Sequence, residues 1–206
     1  MENKFAAAWK IAESEGPRPT RVRNIVHRYY PFFSKLIQHQ DDKFVQKTVD
    51  ALFAGDVFIL RNGFPKHFMD QMRFNCMEYR QSKPSEFYRM LEGTPDFHRK
   101  IDLETGKKYS FPVCKHSCFF YPWNDDPLDL WPTVYERWRD IKMLMGLDPR
   151  AYESNTPKHG VIDRIQVAQY PSKIGYLAPH SDPYLHQRLF FSGYMSRRGV
   201  DYQGGG

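Results

Sequence analysis

The order in which helical and extended patterns follow one another constrains the fold of this chain most. Apolar residues recur at helical spacing after Asp41-Asp42, and Gly55 is the expected end of that helix. Residues 57–60 are typical of a buried strand, and a second helix is expected over residues 65–79. The first 40 residues are expected to form a short helix followed by loops.

The C-terminal half changes from helical to extended patterns. Apolar residues from Trp131 to Met145 line one stripe of a predicted helix, which Gly146 ends. Extended segments are expected around residues 118–121 and over residues 161–170 and 189–195, and a turn is expected from residue 197. Helices followed by successive strands predict an α+β fold, in which helices wrap an antiparallel, β-rich domain.

The composition indicates a folded chain with a general affinity for anions. Apolar residues make up 41% and aromatic residues 16% of the sequence, which is enough for a hydrophobic core and argues against disorder. The net charge of +6 favours anionic ligands. No nucleic-acid recognition motif accompanies this charge, so no nucleic-acid partner is expected.

The cysteines and the N-terminus predict a cytoplasmic location. Cys76, Cys114 and Cys118 form an odd, sparse set that implies no disulfide framework, and a reducing compartment is the default. The start of the chain has no apolar run of signal length, and no segment reaches the roughly 18–20 apolar residues that span a bilayer. No membrane association is expected.

The segment His180-Ser181-Asp182 is the main candidate for chemistry. Residues two apart on a strand face the same side, so an imidazole and a carboxylate can converge on one metal ion. With a second histidine they would form the facial triad of non-haem Fe(II) oxygenases, which leaves metal positions open. A second copy, His39-Gln40-Asp41, lies at a predicted helix start, and we assign its aspartate to capping.

The surroundings of His180 resemble a known family. The resemblance is carried by Val167-Ala168-Gln169-Tyr170-Pro171, then Gly175-Tyr176, then His180-Ser181-Asp182-Pro183. An aromatic segment and the ending Asp201-Tyr202-Gln203-Gly204-Gly205 follow. Together they resemble the metal-binding core of 2-oxoglutarate- and Fe(II)-dependent dioxygenases, in particular the prolyl-hydroxylase-like branch. The likeness covers residues 161–206, is looser over 55–72, and is absent over 80–155.

The resemblance implies a fold, cofactors and a substrate class. The fold would be a double-stranded β-helix, or jelly roll, with a helical region at 1–54 packed on a partial jelly-roll oxygenase domain at 55–206. His180 and Asp182 would bind Fe(II), and Tyr170 would contact the co-substrate 2-oxoglutarate, although it could equally be a half-buried strand aromatic. Ascorbate is a possible further cofactor, and the substrate would be a small molecule or a peptidyl residue.

The family's distal metal histidine and the Arg or Lys that binds 2-oxoglutarate are expected further along than Gly206. We therefore expect the jelly roll to be C-terminally incomplete and the 206-residue chain to bind Fe(II) poorly and to be inactive. His186 is a disfavoured local candidate for the third ligand, since it follows Asp182 too closely.

Other functions remain open at this point. A non-enzymatic jelly-roll module could use His180 and Asp182 to hydrogen-bond a ligand without metal, and a basic nucleic-acid-binding protein is a third possibility. Cys114, His116 and Cys118 are each two residues apart, so on a strand all three would lie on one face and could bind zinc. However, structural zinc usually takes four ligands in spaced pairs, and no second pair is present. We therefore interpret these cysteines as buried strand residues.

Overall fold

The computed structural model describes residues 2–82, 97–99, 116–120, 122, 126, 128–169 and 188–203. These residues form a mixed helix and strand structure with five α-helices, one short 3-10 helix at Pro157–His159 and five strands. The helices are α1 (Lys4–Ser14), α2 (Tyr30–His39), α3 (Asp42–Phe53), α4 (Lys66–Ser82) and α5 (Trp131–Leu144). The strands are β1 (Ile25–Tyr29), β2 (Val57–Arg61), β3 (Phe97–Arg99), β4 (His116–Phe120) and β5 (Ile165–Gln169).

The described residues belong to two compact units. The first contains residues 2–69, 132–151 and 188–203, and the second contains the described parts of 70–131 and 152–187. In the first unit, β1 precedes residue 54 and β2 follows it, and the two strands pair with each other. The proposed division into 1–54 and 55–206 stays a prediction.

Helix packing forms the core of the first unit. The predicted helix after Asp41 is confirmed as α3, and its Val45, Val49 and Leu52 are buried. The predicted helix after Trp131 is confirmed as α5. The buried core consists of side chains from four helices: Phe5, Ala8, Trp9, Ala12, Phe33, Ile37, Val45, Val49, Leu52 and Leu144. The apolar stripe of each of these helices is thus buried against the neighbouring helices, as is usual in globular proteins.

The expectation of loops after the first helix is wrong, because β1 and α2 occupy residues 25–39. β1 pairs in parallel with β2, in a register that aligns Ile25 with Val57. The sequence of β1, Ile-Val-His-Arg-Tyr, lacks the regular alternation of apolar and polar residues that identifies a strand, and only its Val26 is partly buried. Pro31 lies in the first turn of α2, where a missing N–H costs no helical hydrogen bond.

The second unit contains a three-stranded antiparallel sheet with the order β3-β4-β5. The strands predicted around residues 118–121 and within 161–170 are confirmed as β4 and β5, and the second one is shorter than expected. The helix predicted over residues 65–79 is confirmed as α4, which begins in the first unit and continues into the second.

The strand predicted over residues 189–195 is wrong, since the described residues 188–195 have no strand structure. Side-chain contacts hold this segment in the first unit instead. The Arg188 guanidinium forms a two-point ion pair with Glu13 (Nε to Oε1, 2.7 Å) and also donates to the Met145 carbonyl at 2.7 Å. The Phe191 ring lies 6.4 Å from that of Phe64, measured between centroids. The turn expected from residue 197 is confirmed by the bond from the Asp201 N–H to the Arg197 carbonyl.

Candidate functional site

The residues assigned to iron and 2-oxoglutarate lie outside the described residues. Tyr170, His180, Asp182 and the alternative ligand His186 all fall between 170 and 187. Their assignments therefore stay predictions. The described chain approaches this segment through β5, which ends at Gln169, immediately before Tyr170.

The backbone of β5 is fixed by its pairing with β4. The antiparallel register places Gln169 opposite His116 and Val167 opposite Cys118. His116 and Cys118 thus lie in a strand, as the zinc alternative required, but Cys114 lies outside the described residues. Among the residues that the structure describes, no three His, Cys, Asp or Glu side chains are grouped closely enough to hold a metal ion.

The second His-x-Asp copy has a structural role, as predicted. His39 is the last residue of α2, and Gln40 follows it with a left-handed φ of 52°. The Asp41 carboxyl accepts a hydrogen bond from the Phe44 N–H at 3.0 Å, which caps α3. A side-chain oxygen that accepts from an N–H of the first turn is the usual N-cap interaction. The Asp41 carboxyl therefore serves as the N-cap of α3.

A cleft in the first unit lies between the β1–β2 sheet and helices α2 and α3. It has a volume of about 840 Å³. The strands, together with the residues just before them, contribute Arg23, Arg28, Tyr29, Asp56 and Phe58. The helices contribute Phe32, Phe33, Leu36, Lys43, Phe44, Gln46, Lys47, Thr48, Asp50 and Ala51.

Three phenylalanine rings form the apolar floor of this cleft. The Phe33 ring meets both the Phe44 ring and the Phe58 ring edge to face, each at 5.7 Å between centroids. Phe33 is buried, whereas Phe32 and Tyr29 are 63% and 57% exposed. The floor is thus fixed by core packing, while the Phe32 ring of the lining remains open to solvent.

The polar lining of the cleft is predominantly basic. Arg23 is neutralised by Asp56, with Nε to Oδ1 at 2.7 Å and Nη2 to Oδ2 at 2.9 Å. The rest of the lining contains three cations, Arg28, Lys43 and Lys47, and one carboxylate, Asp50. The lining therefore carries a surplus of two positive charges.

The Arg23–Asp56 pair holds the end of the cleft nearest the start of β2. The Asp56 side chain is 6% exposed and also accepts a hydrogen bond from the Asn24 amide at 2.9 Å. The hydrogen bonds from Arg23 lower the pKa of the Asp56 carboxyl, and the same bonds raise the pKa of Arg23. Asp56 thus stays ionised and anchors the backbone where residues 23–24 meet residues 55–57.

Sequence reasoning missed this cleft. Its lining comes from four elements between residues 23 and 58, two of which were expected to be loops. The available signal was the interleaving of basic and aromatic residues at Arg28-Tyr29-Tyr30-Pro31-Phe32-Phe33. That signal alone does not say which rings are buried.

A buried carboxyl group links α2 to α5 in the same unit. Asp140 is 5% exposed and accepts hydrogen bonds from the Tyr30 hydroxyl at 2.6 Å, the Ser34 hydroxyl at 2.6 Å and the Gln38 amide at 3.2 Å. The Arg137 guanidinium lies 5.5 Å from the centre of the Tyr30 ring. Burial, together with the bond to Asp140, raises the pKa of the Tyr30 phenol. The satisfied network is structural, since its acceptors are already used within the core.

This raised pKa predicts a loss of stability in alkali. The unfolded phenol ionises near pH ~10, whereas the folded one keeps its proton to higher pH. Above that pH the folded state binds more protons than the unfolded state, so the free energy of unfolding should fall by up to about 1.4 kcal/mol per pH unit. The free energy of unfolding, measured with urea at a series of pH values, should therefore fall more steeply with pH for the parent than for Tyr30→Phe above pH ~10. Equal slopes would contradict the buried bond between Tyr30 and Asp140.

Cys76 is a poor candidate for a nucleophile or a metal ligand. It lies on α4 and is half-buried. Burial raises the pKa of its thiol to about 11. Because the thiolate is the reactive and metal-binding form, a protonated thiol at neutral pH favours a packing role.

Within the part of the chain that the structure describes, no helix is both long and apolar enough to cross a bilayer. Searches of family models, of curated proteins and of solved structures found no match to this chain.

Proposed function

We propose that this chain carries the metal-binding segment of an Fe(II)- and 2-oxoglutarate-dependent oxygenase that hydroxylates a small molecule or a peptidyl residue. The observation that carries the proposal is His180-Ser181-Asp182, preceded by Gln169-Tyr170-Pro171 and followed by Pro183. In this proposal the antiparallel β3-β4-β5 sheet belongs to a double-stranded β-helix.

The position of β5 supports the proposal. A facial triad of this kind needs a rigid extended segment that delivers its ligands, since metal ligands must be held in a fixed geometry. β5 provides a hydrogen-bonded strand that ends at Gln169, directly before Tyr170. The capping role of Asp41 also leaves His180-Ser181-Asp182 as the sole His-x-Asp motif without an assigned structural role.

The donor types fit ferrous iron. A neutral imidazole and a carboxylate are two of the three ligands in the facial triad, which leaves positions for a co-substrate. When bound, iron and 2-oxoglutarate would supply O2 activation: 2-oxoglutarate and O2 yield succinate and CO2, and one oxygen atom converts a substrate C–H bond into C–OH. The chain's own residues have simpler tasks. His180 and Asp182 would hold the ion, and the Tyr170 hydroxyl would donate a hydrogen bond to a 2-oxoglutarate carboxylate.

Metal titration of matched variants tests the proposal. The parent chain, His180→Ala, Asp182→Ala and His39→Ala are titrated with Mn(II), a redox-stable substitute for Fe(II), and free Mn(II) is measured by electron paramagnetic resonance. Each change in the proposed motif should weaken binding by roughly 10-fold or more, because it removes one of two assigned ligands. His39→Ala changes the other His-x-Asp copy and should leave binding unchanged.

Circular dichroism of each variant establishes that the fold is retained. Binding by the parent is expected to be weak, since His180 and Asp182 are only two of the three triad ligands, so the titration extends to saturating Mn(II). Equal Mn(II) binding by all four proteins, or none by the parent even at saturating Mn(II), would contradict the metal site and favour a metal-free jelly-roll module. Addition of 2-oxoglutarate should tighten binding in the parent, and Tyr170→Phe should reduce that gain.

A further inference from the structure

We propose that the cleft between the β1–β2 sheet and helices α2 and α3 is a second binding site, which takes a small ligand carrying both a planar aromatic ring and an anionic group. The site uses residues of the first unit alone and does not depend on the proposed iron site. Its volume of about 840 Å³ falls within the range of small-molecule sites.

The rings of the cleft provide an apolar surface that is already rigid. Phe33 is buried and fixes the orientation of Phe44 and Phe58 through two edge-to-face contacts. The Phe32 side chain lines the cleft beside these rings and exposes most of its surface. A planar ring placed against them would remove apolar surface from water without requiring the floor to rearrange.

Three of the four cations of the cleft form no ion pair with a carboxylate of the described residues, Arg23 being the exception. Arg28, Lys43 and Lys47 form no salt bridge among the described residues. Lys43 and Lys47 are four residues apart on α3 and therefore lie on the same side of the helix, where like charges repel. An anion bound between the two lysines would be attracted to both, and this attraction would offset their mutual repulsion.

Arg28 connects the two halves of the site. Its guanidinium lies 5.2 Å from the centre of the Phe58 ring, and it donates one hydrogen bond to the His27 carbonyl at 3.2 Å. The ring contact orients the guanidinium, and its other N–H groups remain for a ligand. A bare anion would leave the exposed Phe32 ring in water, and a neutral aromatic molecule would leave the cations without a partner. The lining therefore matches a ligand that combines both features.

Calorimetric titration of the full chain with four probes tests the inference. The probes are 2-naphthoate, 2-naphthyl phosphate, the neutral 2-naphthalenemethanol and inorganic phosphate. At least one aryl anion should bind roughly 10-fold more tightly than the neutral alcohol and than phosphate, and its affinity should fall at higher salt. The tighter of the two aryl anions then assigns the natural ligand to the carboxylates or to the phosphate monoesters.

Four variants locate the binding. Arg28→Gln, the double change Lys43→Gln/Lys47→Gln, and Phe32→Ser alter exposed side chains, so the fold should persist. Each should weaken binding of the aryl anion by roughly 5- to 10-fold. Lys35→Gln removes an exposed cation from α2 outside the cleft and should have no effect.

Several results would overturn the inference. These are the absence of aryl-anion binding, equally tight binding of the alcohol or of phosphate, and equal weakening by Lys35→Gln. None of the four variants touches residues 170–187, so this outcome is independent of the Mn(II) titrations.

Discussion

Replacing Trp9 by alanine should lower the free energy of unfolding by about 3–5 kcal/mol, the range measured when large buried aromatic residues are truncated. Trp9 is 1% exposed in the middle of the helical core. Its indole N–H donates to the Leu144 carbonyl at 2.8 Å, which connects α1 to the end of α5. Truncation would leave a cavity and a buried carbonyl without its donor.

The surroundings of the indole ring make this effect larger than for an aliphatic core residue. The Phe53 ring meets it edge to face at 6.5 Å. The guanidinium carbons of Arg18 and Arg188 lie 5.8 and 5.6 Å from its centre. Cation–π contacts of this kind add roughly 0.5–1 kcal/mol each where they are partly exposed.

Urea unfolding followed by circular dichroism measures the loss, and two variants serve as controls. Ile11→Ala changes a residue of the same helix that is 51% exposed, and it should shift stability by no more than about 0.5 kcal/mol. Trp9→Phe retains an aromatic ring but removes the N–H, so it should cost less than Trp9→Ala. A loss below about 1 kcal/mol for Trp9→Ala would contradict the burial of this side chain.

The helices α3 and α5 were predictable because several local signals agree within each of them. For α3, Asp41 supplies the cap, the apolar residues recur at helical spacing, and Gly55 follows with a φ of +95°. Gly146 ends α5 in the same way, with a φ of +81°. These features involve residues that are close together in the sequence, so they can be recognised without knowing the tertiary structure.

The β1–β2 pair and the segment after Arg188 were not predictable in the same way. β1 is a strand because β2 lies beside it, and its own residues carry no alternation. Residues 189–195 are apolar and aromatic enough for a strand, yet Arg188 and Phe191 attach them to α1, to Met145 just after α5, and to Phe64 through side chains. Tertiary contacts override local preference in both segments.

The two proposed sites differ in how much of them the sequence reveals. His180-Ser181-Asp182 is a contiguous motif, so its chemistry can be inferred from residue types alone. The cleft takes Arg28 and Phe58 from two strands and Lys47 from α3, and it exists only after these elements pack. Asp41 shows the opposite case, since its position before a helical pattern was enough to separate a cap from a metal ligand.

Gly146→Ala should lower the free energy of unfolding by about 2–4 kcal/mol, for two physical reasons that add. A left-handed backbone costs a residue with a Cβ roughly 1–2 kcal/mol. In addition, a Cβ at position 146 would lie 2.7 Å from the Cα and 2.9 Å from the backbone nitrogen of Ala6. Backbone atoms of α1 cannot rotate away as a flexible side chain would, so the α1–α5 contact must shift, which costs about as much as overpacking a core.

Gly199→Ala separates the two contributions. Gly199 has nearly the same φ, +80°, but a Cβ there would meet nothing within 4 Å. The loss of stability in Gly199→Ala, measured by urea unfolding, should therefore report the backbone strain alone, about 1–2 kcal/mol. The difference between the two variants measures the close approach of Ala6 to Gly146. Equal losses would mean that α1 does not pack against the end of α5 as closely as these distances require.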